Sequence, residues 1–258
     1  MPKFNANLTM LFKEVDFLNR FERAAQAGFK AVEFLFPYEW DKDELKDRLQ
    51  SNGLKMVLHN LPAGHWAAGE RGLACLPDRV SEFREGVALA IEYATALGCP
   101  QLNCLAGIPP VTLSQELKQQ TLISNVRYAA EEMQKAGVRL LLEALNSQDM
   151  PGFCLSSTRQ VVDLLKEVDH PNAFIQYDIY HMQIMEGNLT RTIGQNIEKI
   201  GHMQLADVPG RHEPGTGEIN FENLFRAIDE MGYDGWIGCE YNPAGPTEAG
   251  LGWVKKYL

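Results

Sequence analysis

Eight short apolar segments alternate with eight amphipathic segments along the chain, and this alternation restricts its fold more than any other feature. The apolar segments have the length of buried β-strands, and the others carry apolar residues at helical spacing. Glycine follows several of the amphipathic segments, as it commonly does where helices end. A chain of 258 residues provides about 32 residues for each strand–helix unit, which suits a (β/α)8 barrel.

The expected element boundaries follow from these patterns. The predicted strands are 3–8, 31–36, 54–60, 101–106, 138–144, 173–178, 200–206 and 236–241. The predicted helices are 15–27, 41–52, 80–97, 114–136, 157–168, 189–199, 220–231 and 248–257. No change of composition marks a linker, so we expect residues 1–258 to form one α/β domain, a TIM barrel. An open doubly wound sheet is the alternative, but no glycine-rich phosphate-binding motif follows the first strand.

Charge and cysteine content indicate which kinds of binding partner and which cellular compartment to expect. The formal net charge is −10, whereas non-specific binding to nucleic acid or to an anionic membrane requires a basic face. The five cysteines are odd in number and show no CxxC spacing, which favours free thiols. No apolar run approaches the roughly 18 residues of a membrane span, and the first residues do not resemble a signal peptide. A cytoplasmic protein is expected.

Four predicted strands carry an oxygen-bearing side chain at or near their carboxyl ends. Glu143, Asp178, Gln204 and Glu240 are each about one strand–helix unit apart, so a barrel brings them to one mouth. Three carboxylates at one place repel one another, and a divalent cation relieves that repulsion. Oxygen ligands favour Mg²⁺ or Mn²⁺ over zinc. Taken singly, each carboxylate is as readily explained by capping a helix or pairing with arginine; four in register favour a shared metal site.

Two further residues are candidates for binding a substrate. His181 follows Asp178 by one helical turn, where its imidazole can polarise a substrate oxygen, although a lone histidine is more often structural. Arg211 lies in a Gly- and Pro-rich loop after the seventh strand, and its planar fork suits a carboxylate. The alternative for Arg211 is an ion pair with Glu213 or Glu218 that orders the loop.

The third strand contributes two weaker candidates. His59 stands near the end of that strand, and a long loop over 61–78 follows it. Loops of this length are often lids, so Glu70 is a candidate to close over a substrate together with His65.

At these residues the chain resembles the hydroxypyruvate isomerases, a branch of the sugar isomerase/epimerase group of xylose-isomerase-like TIM barrels. The most specific matches are Ile-Gln-Tyr-Asp-Ile-Tyr-His-Met-Gln at 175–183, Arg-His-Glu-Pro-Gly-Thr-Gly-Glu-Ile-Asn at 211–220 and Gly-Cys-Glu-Tyr at 238–241. Less specific ones begin at Phe4, Gly28, His59 and Ala67.

The resemblance implies that Glu143 and Glu240 are the acid/base pair. It likewise implies that Glu143, Asp178, Gln204 and Glu240 bind a divalent metal, although many relatives have histidine where Gln204 stands. The implied reaction converts hydroxypyruvate reversibly into 2-hydroxy-3-oxopropanoate, so the expected partner is a small hydroxy-oxo acid.

Several alternatives remain open at this stage. A 2-oxo-tetronate isomerase or a ketose 3-epimerase would use the same fold, metal and proton transfers on a longer substrate. A metal-dependent phosphodiesterase is more remote, because the chain is acidic and has only six histidines. A non-catalytic sugar-binding role gives no reason for two opposed glutamates. A homo-oligomer is possible, with the Met and Tyr side chains around 180–185 as exposed interface residues.

Overall fold

The computed structural model describes residues 1–258 as eight parallel strands closed into a barrel in the order of the sequence. The strands are β1 (Lys3–Asn7), β2 (Ala31–Glu33), β3 (Lys55–Asn60), β4 (Gln101–Cys104), β5 (Arg139–Glu143), β6 (Ala173–Asp178), β7 (Ile200–Leu205) and β8 (Trp236–Cys239). Pairing of β1 with β8 closes the sheet, so the TIM barrel is confirmed and the open sheet is wrong.

Helices surround the barrel and follow most strands. They are α1 (Arg20–Gln26), α2 (Lys42–Ser51), α3 (Val80–Leu97), α4 (Gln115–Lys135), α5 (Thr158–Val168), α6 (Ile179–Met185), α7 (Leu189–Asn196) and α8 (Phe221–Glu230). The predicted last helix is wrong in type, because this segment forms two 3-10 turns, Thr247–Trp253 and Lys255–Tyr257. Gly250 and Gly252 within it weaken a regular helix.

The interior of the barrel is unusually polar. On β7, His202 and Gln204 face inward, while the alternating residues Met203 and Leu205 belong to the apolar layer under the helices. Barrels of this type are generally filled by branched aliphatic side chains. Here Glu33 on β2 contacts His202 and Gln204 across the barrel, and all three are buried. A buried polar layer therefore lies under the carboxyl ends of the strands.

Helix α6 was not anticipated, and it changes the view of the proposed interface. Tyr180 and Met182 are 6% and 2% exposed, so the expectation that this segment offers exposed Met and Tyr is wrong for these residues. Asp178 starts the helix by accepting hydrogen bonds from the backbone N–H groups of Tyr180 and His181, and this turns the segment inward.

Two expectations drawn from composition are confirmed. All five cysteines are free thiols, and only Cys154 is not fully buried. None of the helices combines the length and the apolar character needed to cross a lipid bilayer.

Candidate active site

Glu143 is the last residue of β5 and is 4% exposed. Asn103 on the neighbouring strand β4 donates from Nδ2 to Glu143 Oε2 at 2.7 Å, which fixes the carboxyl group at the mouth of the barrel. Burial, followed by the nearby Glu240 and Asp178, raises the pKa of Glu143 well above its usual value. A carboxyl group with a raised pKa is suited to exchange protons near neutral pH.

Glu240 follows β8 directly and lies in the same buried cluster. Its Oε2 accepts a hydrogen bond from Arg211 Nη2 at 2.6 Å, and its Oε1 accepts one from Asn7 Nδ2 at 3.3 Å. Burial raises the pKa of Glu240 to about 8, and Arg211 opposes this rise. The nearby charge of Glu240 also contributes to the raised pKa of Glu143, so the two carboxyl groups are electrostatically linked.

Asp178 combines a structural contact with an unsatisfied oxygen. Its Oδ1 caps α6, as a strand-end carboxylate commonly does. Its Oδ2 is buried and has no hydrogen-bond partner, although it lies in a cluster with Glu143 and His181 whose ligand atoms are all within 4.8 Å of one another. A buried carboxylate oxygen that accepts no hydrogen bond is costly, so this atom is well suited to bind a cation. Glu143 and Asp178 thus place carboxylate oxygens, the ligand type that Mg²⁺ and Mn²⁺ prefer, close together. The role of Glu240 as a further ligand stays a prediction.

His181 has a defined tautomer. Its Nδ1 accepts a hydrogen bond from the backbone N–H of Asn146 at 3.1 Å, so the proton of the neutral ring is on Nε2. Burial is the main reason that the pKa of His181 falls to about 4, so the ring is neutral at pH 7. Nε2 lies 3.5 Å from Asp178 Oδ2. A protonated Nε2 cannot bind a metal, so His181 is better placed as a hydrogen-bond donor than as a ligand.

Arg211 reaches the cluster from the loop after β7, in the left-handed conformation with φ of 56°. Its guanidinium pairs with Glu240 and lies 3.8 Å from Asp178 Oδ2. Burial lowers the pKa of Arg211, but the surrounding carboxylates outweigh this and raise it overall. The alternative pairing is wrong, since Glu213 accepts from the backbone of Ala244 and Glu218 accepts from Gln183.

One buried carboxylate holds the Arg211 loop in shape. Asp207 accepts hydrogen bonds from four backbone N–H groups, those of Val208, Gly215, Gly217 and Ile219. At Gly217 an added Cβ would lie 2.1 Å from the Val208 carbonyl oxygen, so glycine is required for this close approach. The loop also contains a cis peptide bond between Val208 and Pro209.

Gln204 is the fourth predicted ligand, and its amide already has two partners inside the barrel. Its Nε2 donates to Glu33 Oε1 at 2.8 Å, and its Oε1 accepts from Gln176 Nε2 at 2.5 Å. An amide oxygen has a second lone pair. The role of Gln204 as a metal ligand therefore stays a prediction that depends on this remaining lone pair.

The two weaker candidates lie in different surroundings. His59 is fully buried, its Nε2 has no partner, and burial lowers its pKa to about 4. Glu70 is paired within the long loop, with Arg79 and with the backbone N–H of His65, and it makes no hydrogen bond to the carboxylate cluster. Both substrate-binding roles stay predictions.

Sequence reasoning missed the amides that orient the carboxylates. Asn7, Asn103 and Asn146 each contact a candidate site residue, yet a single asparagine in or just after an apolar strand is a weak signal. It also missed Glu33, because a single carboxylate within a short predicted strand is a weak signal. Burial alone would raise the pKa of Glu33, but His202 and the amide donors outweigh it and lower the pKa overall. Glu33 is thus an ion held under the site.

Comparison with known proteins decides the family. The sequence matches the family described as xylose isomerase-like TIM barrel over residues 21–257. The chain belongs to that family. Within it, the chain is 57% identical to a hydroxypyruvate isomerase of Escherichia coli K12 over the full length of both proteins. It is 48% identical to a 2-oxo-tetronate isomerase of Pectobacterium atrosepticum, covering all of this chain and 98% of that one.

A solved member of the xylose isomerase-like TIM barrel family has nearly the same backbone. It is a crystal structure from Brucella melitensis described as AP endonuclease, family 2, with a TM-score of 0.97 and 47% identity, and the match covers all of this chain and 99% of that one. The full-length relatives at this level of identity in sequence are named as isomerases.

Proposed function

We propose that this protein is a hydroxypyruvate isomerase that interconverts hydroxypyruvate and 2-hydroxy-3-oxopropanoate in the cytoplasm. The observation that carries the proposal is the pair of buried carboxyl groups, Glu143 and Glu240, with raised pKa values and with Arg211 between Glu240 and Asp178. The pair supplies a base and an acid for proton transfer, and Arg211 supplies a cation for the carboxylate of the substrate. The name of the Escherichia coli relative supports the same substrate.

The chemistry is a proton shift between neighbouring carbons. One glutamate removes a proton from the hydroxymethyl carbon of hydroxypyruvate, which leaves an enediolate. The other glutamate delivers a proton to the former carbonyl carbon, and the hydroxyl proton moves to the former carbonyl oxygen, so atoms and charge balance. Positioned acid/base groups of this kind typically contribute about 10²–10⁴-fold to the rate.

A divalent cation, Mg²⁺ or Mn²⁺, belongs to this proposal. Glu143, Asp178 and Glu240 would hold it, with Gln204 as the fourth ligand. The atom that favours it is Asp178 Oδ2, which is buried and accepts no hydrogen bond. When bound, such an ion supplies Lewis acidity that makes the substrate C–H bond easier to ionise. The ion also offsets the repulsion among the carboxylates.

The other candidate side chains have separable tasks in this scheme. His181 donates from Nε2 to an oxygen of the substrate that gains charge during the reaction, since its ring is neutral and its tautomer is fixed by Asn146. Buried His59 has a free Nε2 that can accept from a substrate hydroxyl group. Glu70 orders the loop over 61–78 through Arg79, and through that loop it contributes to substrate enclosure.

Solvent-deuterium exchange into hydroxypyruvate tests the acid/base assignment. Glu143→Gln and Glu240→Gln should each slow exchange by at least about 100-fold. Glu248→Gln is the matched control, because Glu248 is half-exposed and pairs with Arg23 on the surface. A Glu143 or Glu240 variant that exchanges deuterium at nearly the rate of the unaltered protein would remove that residue from the mechanism.

A 2-oxo-tetronate isomerase is the second candidate, favoured by the relatives at 47–48% identity that carry this name. It uses the same carboxyl pair and the same Arg211 contact on a longer hydroxy-oxo acid. Turnover of hydroxypyruvate and a four-carbon 2-oxo acid, measured side by side as kcat/KM, separates the two. A neutral ketose as the substrate of a 3-epimerase is disfavoured because it has no carboxylate for Arg211 to bind. Retained binding to duplex DNA at moderate salt would instead favour the phosphodiesterase.

A further inference from the structure

Glu33 is the most completely satisfied charged group inside the barrel. It lies on β2, is 1% exposed, and receives hydrogen bonds from four side chains on β1 and β7. Three of these neighbours are amide nitrogens that can only donate, and the fourth, His202 Nε2, donates when it carries the ring proton. A carboxylate in these surroundings can only accept hydrogen bonds.

The two oxygens of Glu33 serve different sets of donors. Oε2 accepts from Asn5 Nδ2 at 2.8 Å and from His202 Nε2 at 2.7 Å, and neither donor contacts a candidate site residue. Oε1 accepts from Asn7 Nδ2 at 3.0 Å and from Gln204 Nε2 at 2.8 Å. Asn7 Nδ2 also donates to Glu240, and Gln204 is the predicted fourth ligand. Of the two Glu33 oxygens, only Oε1 is therefore linked to the reaction site.

We propose that Glu33 is a positioning residue that fixes which end of two site amides, those of Asn7 and Gln204, faces the reaction site. This inference rests on the function proposed above. The two ends of a primary amide are nearly equal in size, and a neighbour that only accepts decides between them. Glu33 accepts from Nε2 at one end of the Gln204 amide, and Gln176 Nε2 donates to Oε1 at the other end. The second lone pair of Oε1 is thereby left for ligation.

The same contact orients Asn7. The backbone N–H of Thr9 donates to Asn7 Oδ1 at 3.0 Å, which turns Nδ2 toward both Glu33 Oε1 and Glu240 Oε1. One amide group therefore joins the buried anion to the acid/base carboxyl group. Glu33 does not touch the substrate in this scheme and acts only through Asn7 and Gln204.

The fold keeps space for this carboxylate. Gly238 on β8 faces Glu33, and a Cβ atom at that position would lie 2.3 Å from Glu33 Oε1. A non-bonded contact this short is a steric clash, so a side chain at 238 displaces the oxygen that orients the amides.

The test is Glu33→Gln, with Mn²⁺ affinity measured by calorimetry without substrate and kcat and KM measured at saturating Mn²⁺. A neutral amide at 33 can present either its oxygen or its nitrogen to Gln204, so that only Gln176 still orients the Gln204 amide. We expect Mn²⁺ affinity to fall at least about tenfold and kcat to fall at least about tenfold, while KM for hydroxypyruvate stays within a factor of about three because Arg211 is untouched.

Asn5→Ser is the matched control, because it removes a donor to the other oxygen of the same carboxylate. It should lower Tm by a few degrees and leave Mn²⁺ affinity and kcat unchanged. If Asn5→Ser lowers affinity and kcat as much as Glu33→Gln does, or if Glu33→Gln changes neither, Glu33 serves stability alone and the proposal is wrong.

The double variant Glu33→Gln, Gln204→Glu keeps one amide and one carboxylate in contact and covers the case in which Glu33→Gln does not fold. A carboxylate at 204 presents oxygen in either orientation, so Mn²⁺ affinity should return at least to that of the unaltered protein; failure of this recovery in a folded double variant overturns the proposal. The affinity measurement needs no turnover. An unaltered protein that binds Mn²⁺ but does not isomerise hydroxypyruvate therefore refutes the proposed function and leaves the positioning role to be decided by these variants.

Discussion

Arg211 and Glu240 form a buried ion pair at the mouth of the barrel, with 2.6 Å between Nη2 and Oε2. The guanidinium also lies over the ring of Tyr180, with Cζ 4.9 Å from the ring centroid, so its plane is supported from below. A substrate carboxylate that binds Arg211 must share it with Glu240. Substrate binding therefore weakens the group that holds the pKa of Glu240 down, which favours a protonated Glu240 in the complex.

Arg211→Met should lower the activity on substrates that carry a carboxylate more than the activity on substrates that lack one. Loss of one partner of a buried charged pair typically costs about 2–5 kcal/mol, so kcat/KM for hydroxypyruvate should fall at least about thirtyfold. Deuterium exchange into dihydroxyacetone, which lacks the carboxylate, is the internal control, because the altered pKa of Glu240 affects both substrates alike. Equal losses for the two compounds would contradict a carboxylate-binding role.

Stabilisation by Mn²⁺ should grow as the pH rises. The raised pKa values of Glu143 and Glu240 mean that the metal-free folded state keeps protons that the unfolded state releases, so stability is lost as pH rises from about 4.5 toward 8. Mn²⁺ competes with these protons for the same oxygens. The increase in Tm on adding Mn²⁺ should be larger at pH 8 than at pH 6, and Glu143→Gln should lose most of it. An increase that is the same at both pH values argues against this site.

His181 should act as a neutral donor throughout the working range. Its pKa is about 4, so kcat/KM should show no ionisation of this residue near pH 6.5. His181→Leu should lower kcat by about 10²–10³-fold, as the loss of a donor to developing charge commonly does, and His181→Gln should lose less because it retains an N–H group. The check is a pH profile from 5 to 8; an acid limb near 6.5 that disappears in His181→Gln would mean that the imidazolium is the active form.

Gly238→Ala should destabilise the barrel far more than its size suggests. The added methyl group would meet the Glu33 carboxylate, and displacing a buried anion from its donors should cost several kcal/mol, about 2–5 by comparison with broken buried pairs. Gly252→Ala is the control, because nothing lies within 4 Å of its added Cβ. Urea denaturation of both variants at pH 7 gives the comparison, and similar midpoints would show that Glu33 relaxes without loss.

The alternation of strands and helices in the sequence was enough to predict most of the fold. Side chains at the ends of β5 and β6 share one mouth by the geometry of any parallel barrel, so Glu143 and Asp178 were predictable from local patterns alone. Helix α6 was not predicted, because its seven residues are too few to show a helical spacing of apolar residues. Its start also depends on the Asp178 cap. Short helices are set by such single contacts rather than by a pattern.

The partners of the site residues were less accessible to sequence reasoning. Glu33 and Gln204 are 171 positions apart and touch only because the barrel closes, so no local period connects them. The pairing of Arg211 with Glu240 rather than with Glu213 likewise depends on a left-handed residue and on the fold of its loop. Contacts across the barrel form only when the sheet closes, so they cannot be predicted from local sequence patterns.

The four backbone bonds to Asp207 have a consequence for affinity. Because Asp207 already orders the loop, the loop loses little conformational entropy when a ligand binds to Arg211. The entropy cost of ordering the loop belongs to folding instead. A small acid, which can make few contacts, therefore binds a guanidinium that is preorganised for it.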